Sequence, residues 1–140
     1  MSRVVTVRLS GGLGNQMFQY AYALATANGD PLRLDLSGFS GSCQRTYRLG
    51  VFGVEPAATV GNPMKIGSLI ARIPGVWRLM RLFGGVLRIP GGTMLWDRMT
   101  GFDPRMTGRS GNTYCTGYWQ DARYFESIGS AVRELFQPVE

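Results

Sequence analysis

Two short alternating stretches bracket one longer stretch with helical spacing at the start of the chain. Val4-Val5-Thr6-Val7-Arg8-Leu9 is short and β-branched, as a strand buried on at least one face would be. Ser10-Gly11-Gly12-Leu13-Gly14 interrupts it, and the period then lengthens. Met17, Ala21 and Leu24 fall on one helical stripe flanked by Phe18 and Ala25, with Gln19, Tyr22 and Thr26 opposite, which predicts that the first set faces the core. Asn28-Gly29, with Pro31 beyond, should end this helix. Leu32-Arg33-Leu34-Asp35-Leu36 alternates again. The unit from residue 4 to residue 36 therefore reads as strand, helix, strand, which implies a parallel sheet with a right-handed crossover.

Further along, Gly38, Ser40, Gly41 and Ser42 mark a surface loop, and Tyr47, Leu49 and Phe52 should pack it back onto the domain. From Met64 to Ile89 the chain is apolar and basic together, cut into short helices by Pro74-Gly75 and Gly84-Gly85. Such helices either cover the sheet with their arginines in water or lie, with Trp77, in the interface of an anionic bilayer. Leu95-Trp96-Asp97 follows, and Phe102-Asp103-Pro104 marks a turn. Thr113 to Trp119 reads as another strand, after which Asp121 is placed to cap a helix through Tyr124, Phe125 and Ile128, with a further turn near Val132, Leu135 and Phe136.

Composition narrows the class. At 140 residues, 44% hydrophobic and 17% charged, the chain predicts one domain with a real core and no extended disorder. There are 15 basic and 9 acidic residues, and every basic residue except Lys65 is arginine, whose planar fork suits phosphate and carboxylate. The absence of histidine removes the commonest general base and every serine–histidine or cysteine–histidine nucleophile. With only Cys43 and Cys115 besides, a zinc site is not expected, and the two cysteines read as free thiols of a cytosolic protein. No secretory leader and no apolar run long enough to span a bilayer is visible, so a cytoplasmic protein is expected.

The glycine run carries the clearest chemistry. Gly11, Gly12 and Gly14 allow positive φ and remove side chains that would keep a ligand from the backbone. Unpaired N–H groups at the start of the following helix, aided by its dipole, then favour a phosphate or carboxylate. Asn15 either caps the helix or reaches that ligand. Asp35, at the end of the second strand, either binds a hydroxyl of a ligand or accepts hydrogen bonds from its own loop.

Gly11-Gly12-Leu13-Gly14-Asn15-Gln16-Met17-Phe18-Gln19-Tyr20-Ala21, directly after an N-terminal strand, resembles the opening signature of the bacterial α-1,2-fucosyltransferases of glycosyltransferase family 11. Leu34 to Ser37, Tyr47 to Phe52 and Gly117 to Phe125 agree with that family in the same order. The resemblance implies a Rossmann-like α/β domain with a parallel sheet and helices on both faces, similar to the N-terminal half of a two-domain GT-B transferase. It implies a hexosyltransferase that moves fucose from GDP-fucose to a β-galactoside hydroxyl with inversion, in glycan or surface polysaccharide synthesis, without a required metal or other cofactor.

Within that resemblance Gly11, Gly12, Leu13, Gly14, Asn15 and Gln16 would hold the donor, and Tyr118, Trp119 and Gln120 would hold a sugar. Asp35, Asp121 and Glu126 are the carboxylates nearest the matching segments, and none stands out as the base. The family carries a His-x-Arg-Arg-Gly-Asp-Tyr donor clamp after the last matching block, and residues 1–140 contain none. The expectation is therefore an N-terminal domain with little activity alone, at most peripheral to the inner face of the membrane through residues 64–89, and with no nucleic-acid partner. A non-catalytic carbohydrate- or nucleotide-binding module and a basic membrane-surface protein are the alternatives.

Overall fold

A computed structural model describes residues 3–39, 44–56, 69–70, 73–82, 85–97, 101–107 and 111–139, except the side chains of Trp77 and Arg81. The β-branched start forms β1 (Val5–Arg8), followed by α1 (Leu13–Ala27) and β2 (Leu32–Asp35). Then come α2 (Val76–Leu82), β3 (Val86–Ile89), β4 (Gly92–Trp96), β5 (Thr113–Thr116) and α3 (Gly129–Leu135). The strands form one sheet in the order β2-β1-β5-β4-β3, with β2, β1, β5 and β4 mutually parallel and β3 antiparallel to β4 at the edge. This is an α/β, Rossmann-like fold.

Register sorts the side chains into two layers. Val7 aligns with Leu34 and Cys115, and Cys115 aligns with Leu95, so these residues share one face with Val5 and meet Tyr22, Ala23 and Ala27 of α1. Met94, Trp96 and Tyr114 emerge on the opposite face and meet Met80 of α2, with Ile70 and Val76 against them. Each fully buried aliphatic side chain contributes on the order of 1.5–3 kcal/mol. Helices thus cover both faces, and Leu49, fully buried, draws the segment with Tyr47 and Phe52 onto the α1 side as expected.

The face that α1 turns inward differs from the expected one. Ala21 is buried as expected, but so are Gln16, Gln19, Tyr22, Ala23 and Thr26, while Met17, Phe18, Leu24 and Ala25 are half-buried. Hydropathy spacing misplaces the stripe because the glutamines are fully hydrogen-bonded inside, which removes the cost of burying an amide. The helix ends where Asn28 takes φ 47°, its N–H bonded to Leu24 O. Arg3 Nη2 donates to Thr26 O at 3.0 Å and Ala27 O at 3.1 Å, so a cation supplies donors at the negative end of the helix.

The helices expected up to Ile89 stop earlier. Val86–Ile89 pairs with Gly92–Trp96 as a hairpin across Pro90-Gly91, and Gly91 has φ 97°. Leu69, Ile73, Leu79 and Leu82 are exposed, while Met80 of α2 is buried against the sheet with Val76 packed beside it. Cys115 is a free, buried thiol, whereas Cys43 and residues 64–68, 71–72 and 83–84 of the apolar-basic segment lie outside the described residues. Among the described residues no helix is long and apolar enough to cross a membrane.

Candidate functional site

The four parallel strands end on one side of the sheet, and the strand order reverses between β1 and β5. Ligands of open parallel sheets lie beyond the carboxyl ends at such a point. Here the turn after β1 and the first turn of α1 carry Gly11 to Asn15, and the loop after β5 carries Gly117 to Gln120. The two are joined by Gln120 Nε2 donating to Asn15 Oδ1 at 2.7 Å.

Gly12 is the N-cap of α1 and makes no side-chain cap bond, so Asn15 is not the cap. The first helical hydrogen bond is Gln16 N to Gly12 O, 3.1 Å. Among the described residues no acceptor takes the N–H groups of Leu13, Gly14 or Asn15. Gly14 is exposed, and a Cβ placed on it would meet nothing within 4 Å. Gly11 has φ 75°, and a Cβ there would lie 2.6 Å from Asn15 Nδ2, so glycine is needed both for the turn and for the asparagine beside it. A Cβ on Gly12 would sit 3.6 Å from Arg45 Nη1, which places an exposed guanidinium over the loop. Unengaged N–H groups, the helix dipole and this arginine give the loop the geometry and charge of an anion cradle.

The glutamines hold the cradle from beneath. Gln16 is fully buried. Its Nε2 donates to Gly11 O and Thr46 O at 3.0 and 2.9 Å, and its Oε1 accepts from Arg48 N. Its amide is spent within the protein, which corrects its assignment to the ligand. Gln19 does the same on the other side, bonding Ser10 N, Ser10 Oγ and Gly117 O. Leu13 packs its side chain against the core and presents only its N–H.

Trp119 also departs from the expectation. It is fully buried, stacked on Tyr22 with ring centroids 3.8 Å apart, and edge-on to Tyr124 at 5.5 Å. A ring enclosed in this way has no face for a sugar, whereas Tyr118 is half-exposed and Gln120 exposed. Trp119 has φ 55°, an unusual conformation for a bulky residue, and its N–H donates to Asp97 Oδ2 at 2.9 Å. Asp97 and Arg45 were not among the residues expected at a site, although Asp97 directly follows the last residue of β4 and Arg45 lies two residues before Tyr47.

The three candidate carboxylates separate. Asp35 Oδ2 accepts from Tyr114 OH at 2.5 Å and Oδ1 from Ser37 N at 2.9 Å. Burial pushes its pKa up, but the bonds from Tyr114 and Ser37 and the charge of Arg8 outweigh that and hold it below the ordinary carboxylate value. Asp121 caps the 3-10 turn of residues 122–128 and binds Arg123 through Nε and Nη2, which lowers its pKa to about 2. Both are poor proton acceptors near neutrality. Glu126 is exposed in a surface groove with Ala25 and Thr26, roughly 15 Å along α1 from Asn15 at 1.5 Å per residue, and is not gathered with the cradle.

A cavity of about 170 Å³ adjoins the Gln120 end of this region, lined by Asp97, Gly101, Tyr118, Gln120, Asp121 and Tyr124. Neither a protein-family model nor a solved structure matches the chain. Among curated proteins it is 27% identical over 146 residues to an alpha-1,2-colitosyltransferase of Escherichia coli, an alignment covering 97% of this chain and 46% of that enzyme. The chain therefore spans less than half the length of the relative it matches, and across nearly all of its own length it is similar to a glycosyltransferase.

Proposed function

We propose that this chain forms the glycine-loop half of an inverting α-1,2-glycosyltransferase that moves a deoxyhexose, fucose in the first instance, from its GDP-linked form to a galactoside hydroxyl. The observation that carries this is the set of N–H groups of Leu13, Gly14 and Asn15, unengaged among the described residues, at the start of α1 beneath Arg45. Transfer leaves negative charge on the departing diphosphate. Donors already aimed at the place where charge develops need no reorganisation, and losing one such donor typically costs about 10²–10³-fold in rate. Gln16 and Gln19 keep the loop in that geometry from the protein side. The similarity to the colitosyltransferase supports sugar transfer, and the ordered blocks from Gly11 to Phe125 support fucose.

Calorimetry with GDP and GDP-fucose tests the cradle. Gly14→Val is the sharpest variant, because a Cβ at this position meets no atom within 4 Å and so adds bulk beside the N–H groups from an open side. Binding by the parent and loss of at least about tenfold in the variant are expected, in line with hydrogen bonds to charged groups. No binding of GDP, or equal binding by the variant, refutes the assignment. Radiolabel transfer to lactose from GDP-fucose and from GDP-colitose, with a polypeptide matching the relative's remaining length supplied, identifies the sugar. Binding without transfer in that assay would instead indicate a non-catalytic nucleotide- or saccharide-binding module.

A further inference from the structure

The glycine turn and the arginine above it belong to segments far apart in the chain, and one side chain joins them. Gln16 is fully buried. Its Nε2 donates to Gly11 O in the turn at 3.0 Å and to Thr46 O at 2.9 Å, and its Oε1 accepts from Arg48 N at 2.9 Å. The amide therefore pairs with the main chain on both sides of Tyr47, much as a neighbouring strand would, and keeps its second donor for the turn. Residues 44–48 form neither helix nor strand, so Thr46 O and Arg48 N find in this side chain the partners that a ladder gives elsewhere. Tyr47 OH, donating to Val54 O, and the fully buried Leu49 anchor the rest of the segment.

Arg45 stands at the end of that clamp. Its side chain is exposed, its Nη1 lies 3.6 Å from where a Cβ on Gly12 would be, and it has no acceptor among the described residues. The N–H groups of Leu13, Gly14 and Asn15 come with the helix itself. The cation comes with the segment that Gln16 holds. A long side chain gives up rotamer freedom when a ligand orders it, so an arginine whose backbone is already fixed beside the anion has less to lose on binding.

We propose, resting on the transferase function above, that Gln16 is a positioning residue for the departing diphosphate. By tying Thr46 and Arg48 to the carbonyl of Gly11 it fixes Arg45 over the N–H groups of Leu13, Gly14 and Asn15, so that the cationic and the main-chain halves of the cradle meet one anion. Gln16 touches no ligand. It acts through Arg45, and its effect on binding disappears when Arg45 is gone.

Calorimetry with GDP on the 140-residue chain, at low and high sodium chloride, tests this with the parent, Gln16→Met, Arg45→Gln and the double variant. Each single variant should bind GDP about tenfold more weakly at low salt, within the range for a hydrogen bond to a charged group. Added salt should weaken binding by the parent, and by the same smaller factor in both single variants, because both lose the same charge contact. In the Arg45→Gln background, Gln16→Met should cost no more than about twofold, as expected of residues acting in series. Losses that multiply in the double variant, or a Gln16→Met salt dependence equal to the parent's, overturn the positioning role while GDP binding by the parent leaves the cradle standing. Absence of GDP binding by the parent overturns the cradle and this role with it. Should Gln16→Met fail to fold, the ¹⁵N-labelled parent carries the test. GDP is expected to shift the Arg45 Nε–H and the Gln16 side-chain amide together with the main-chain N–H groups of Leu13, Gly14 and Asn15, and shifts confined to those main-chain groups overturn the proposal.

Discussion

Replacing Gln19 by methionine should destabilise the protein far more than a near-isosteric change in a helix normally does. The side chain is fully buried. It accepts from Ser10 N at 3.0 Å and donates to Ser10 Oγ at 3.1 Å and Gly117 O at 2.8 Å. Methionine fills nearly the same volume, so little arises from a cavity. What remains is a part-buried N–H of Ser10 and a part-buried carbonyl of Gly117 without partners, while the Ser10 hydroxyl can rotate to a new one. At about 1–3 kcal/mol for each of the two stranded groups, the expected loss is about 2–6 kcal/mol. For a domain of this size that lowers the melting temperature by roughly 6–20 °C. Urea unfolding followed by far-ultraviolet circular dichroism reads it, with Gln120→Ala as an exposed control that should move by under about 0.5 kcal/mol. A loss below about 1 kcal/mol in Gln19→Met would show that the amide does not bind the two loops together, and the buried polar face of α1 would need another explanation.

Three further outcomes follow from the same geometry. Gly11→Ala should cost about 1–2 kcal/mol through its positive φ and push the flexible end of Asn15 aside, so calorimetry should show GDP binding weakened even at temperatures where the variant is fully folded. Asp35 has a lowered folded-state pKa, so its contribution is complete above its unfolded value near pH 4 and is lost as pH falls toward the folded value. Tyr114→Phe removes one donor, raises the folded pKa and should move the acid-unfolding midpoint to higher pH; an unmoved midpoint would rule out this linkage. Burial pushes the Cys115 thiol well above its ordinary pKa. In a Cys43→Ser background a disulfide reagent should therefore react only as fast as the protein opens, and rapid labelling of the native state would contradict the burial.

The strand, glycine turn, helix and second strand were legible because each carries a local signal: β-branched residues, a break in period, and a left-handed terminator at Asn28-Gly29. The inward face of α1 was not, because Gln16 and Gln19 are buried through bonds to Thr46, Arg48 and Gly117, partners 30, 32 and 98 residues away, which no local period records. The hairpin of β3 and β4 was hidden by helical counting through Val86–Ile89, although Pro90-Gly91 between β-branched runs is itself a turn signal. In the site, the glycines and Asn15 were identified from the residues themselves. Trp119 was assigned to a sugar because it is an aromatic residue at the end of a strand, and its left-handed backbone between the Tyr22 and Tyr124 rings turns the indole inward instead. Asp97 and Arg45 join the region through packing between distant segments.

The single exposed hydrogen bond between Asn15 and Gln120 joins residues 105 positions apart. Trading that bond for two bonds to water is nearly neutral, so the latch between the glycine turn and the β5 loop opens at little cost and either loop can shift without unfolding the other. Any binding event that prefers the open latch must, by thermodynamic reciprocity, be strengthened by whatever else opens it.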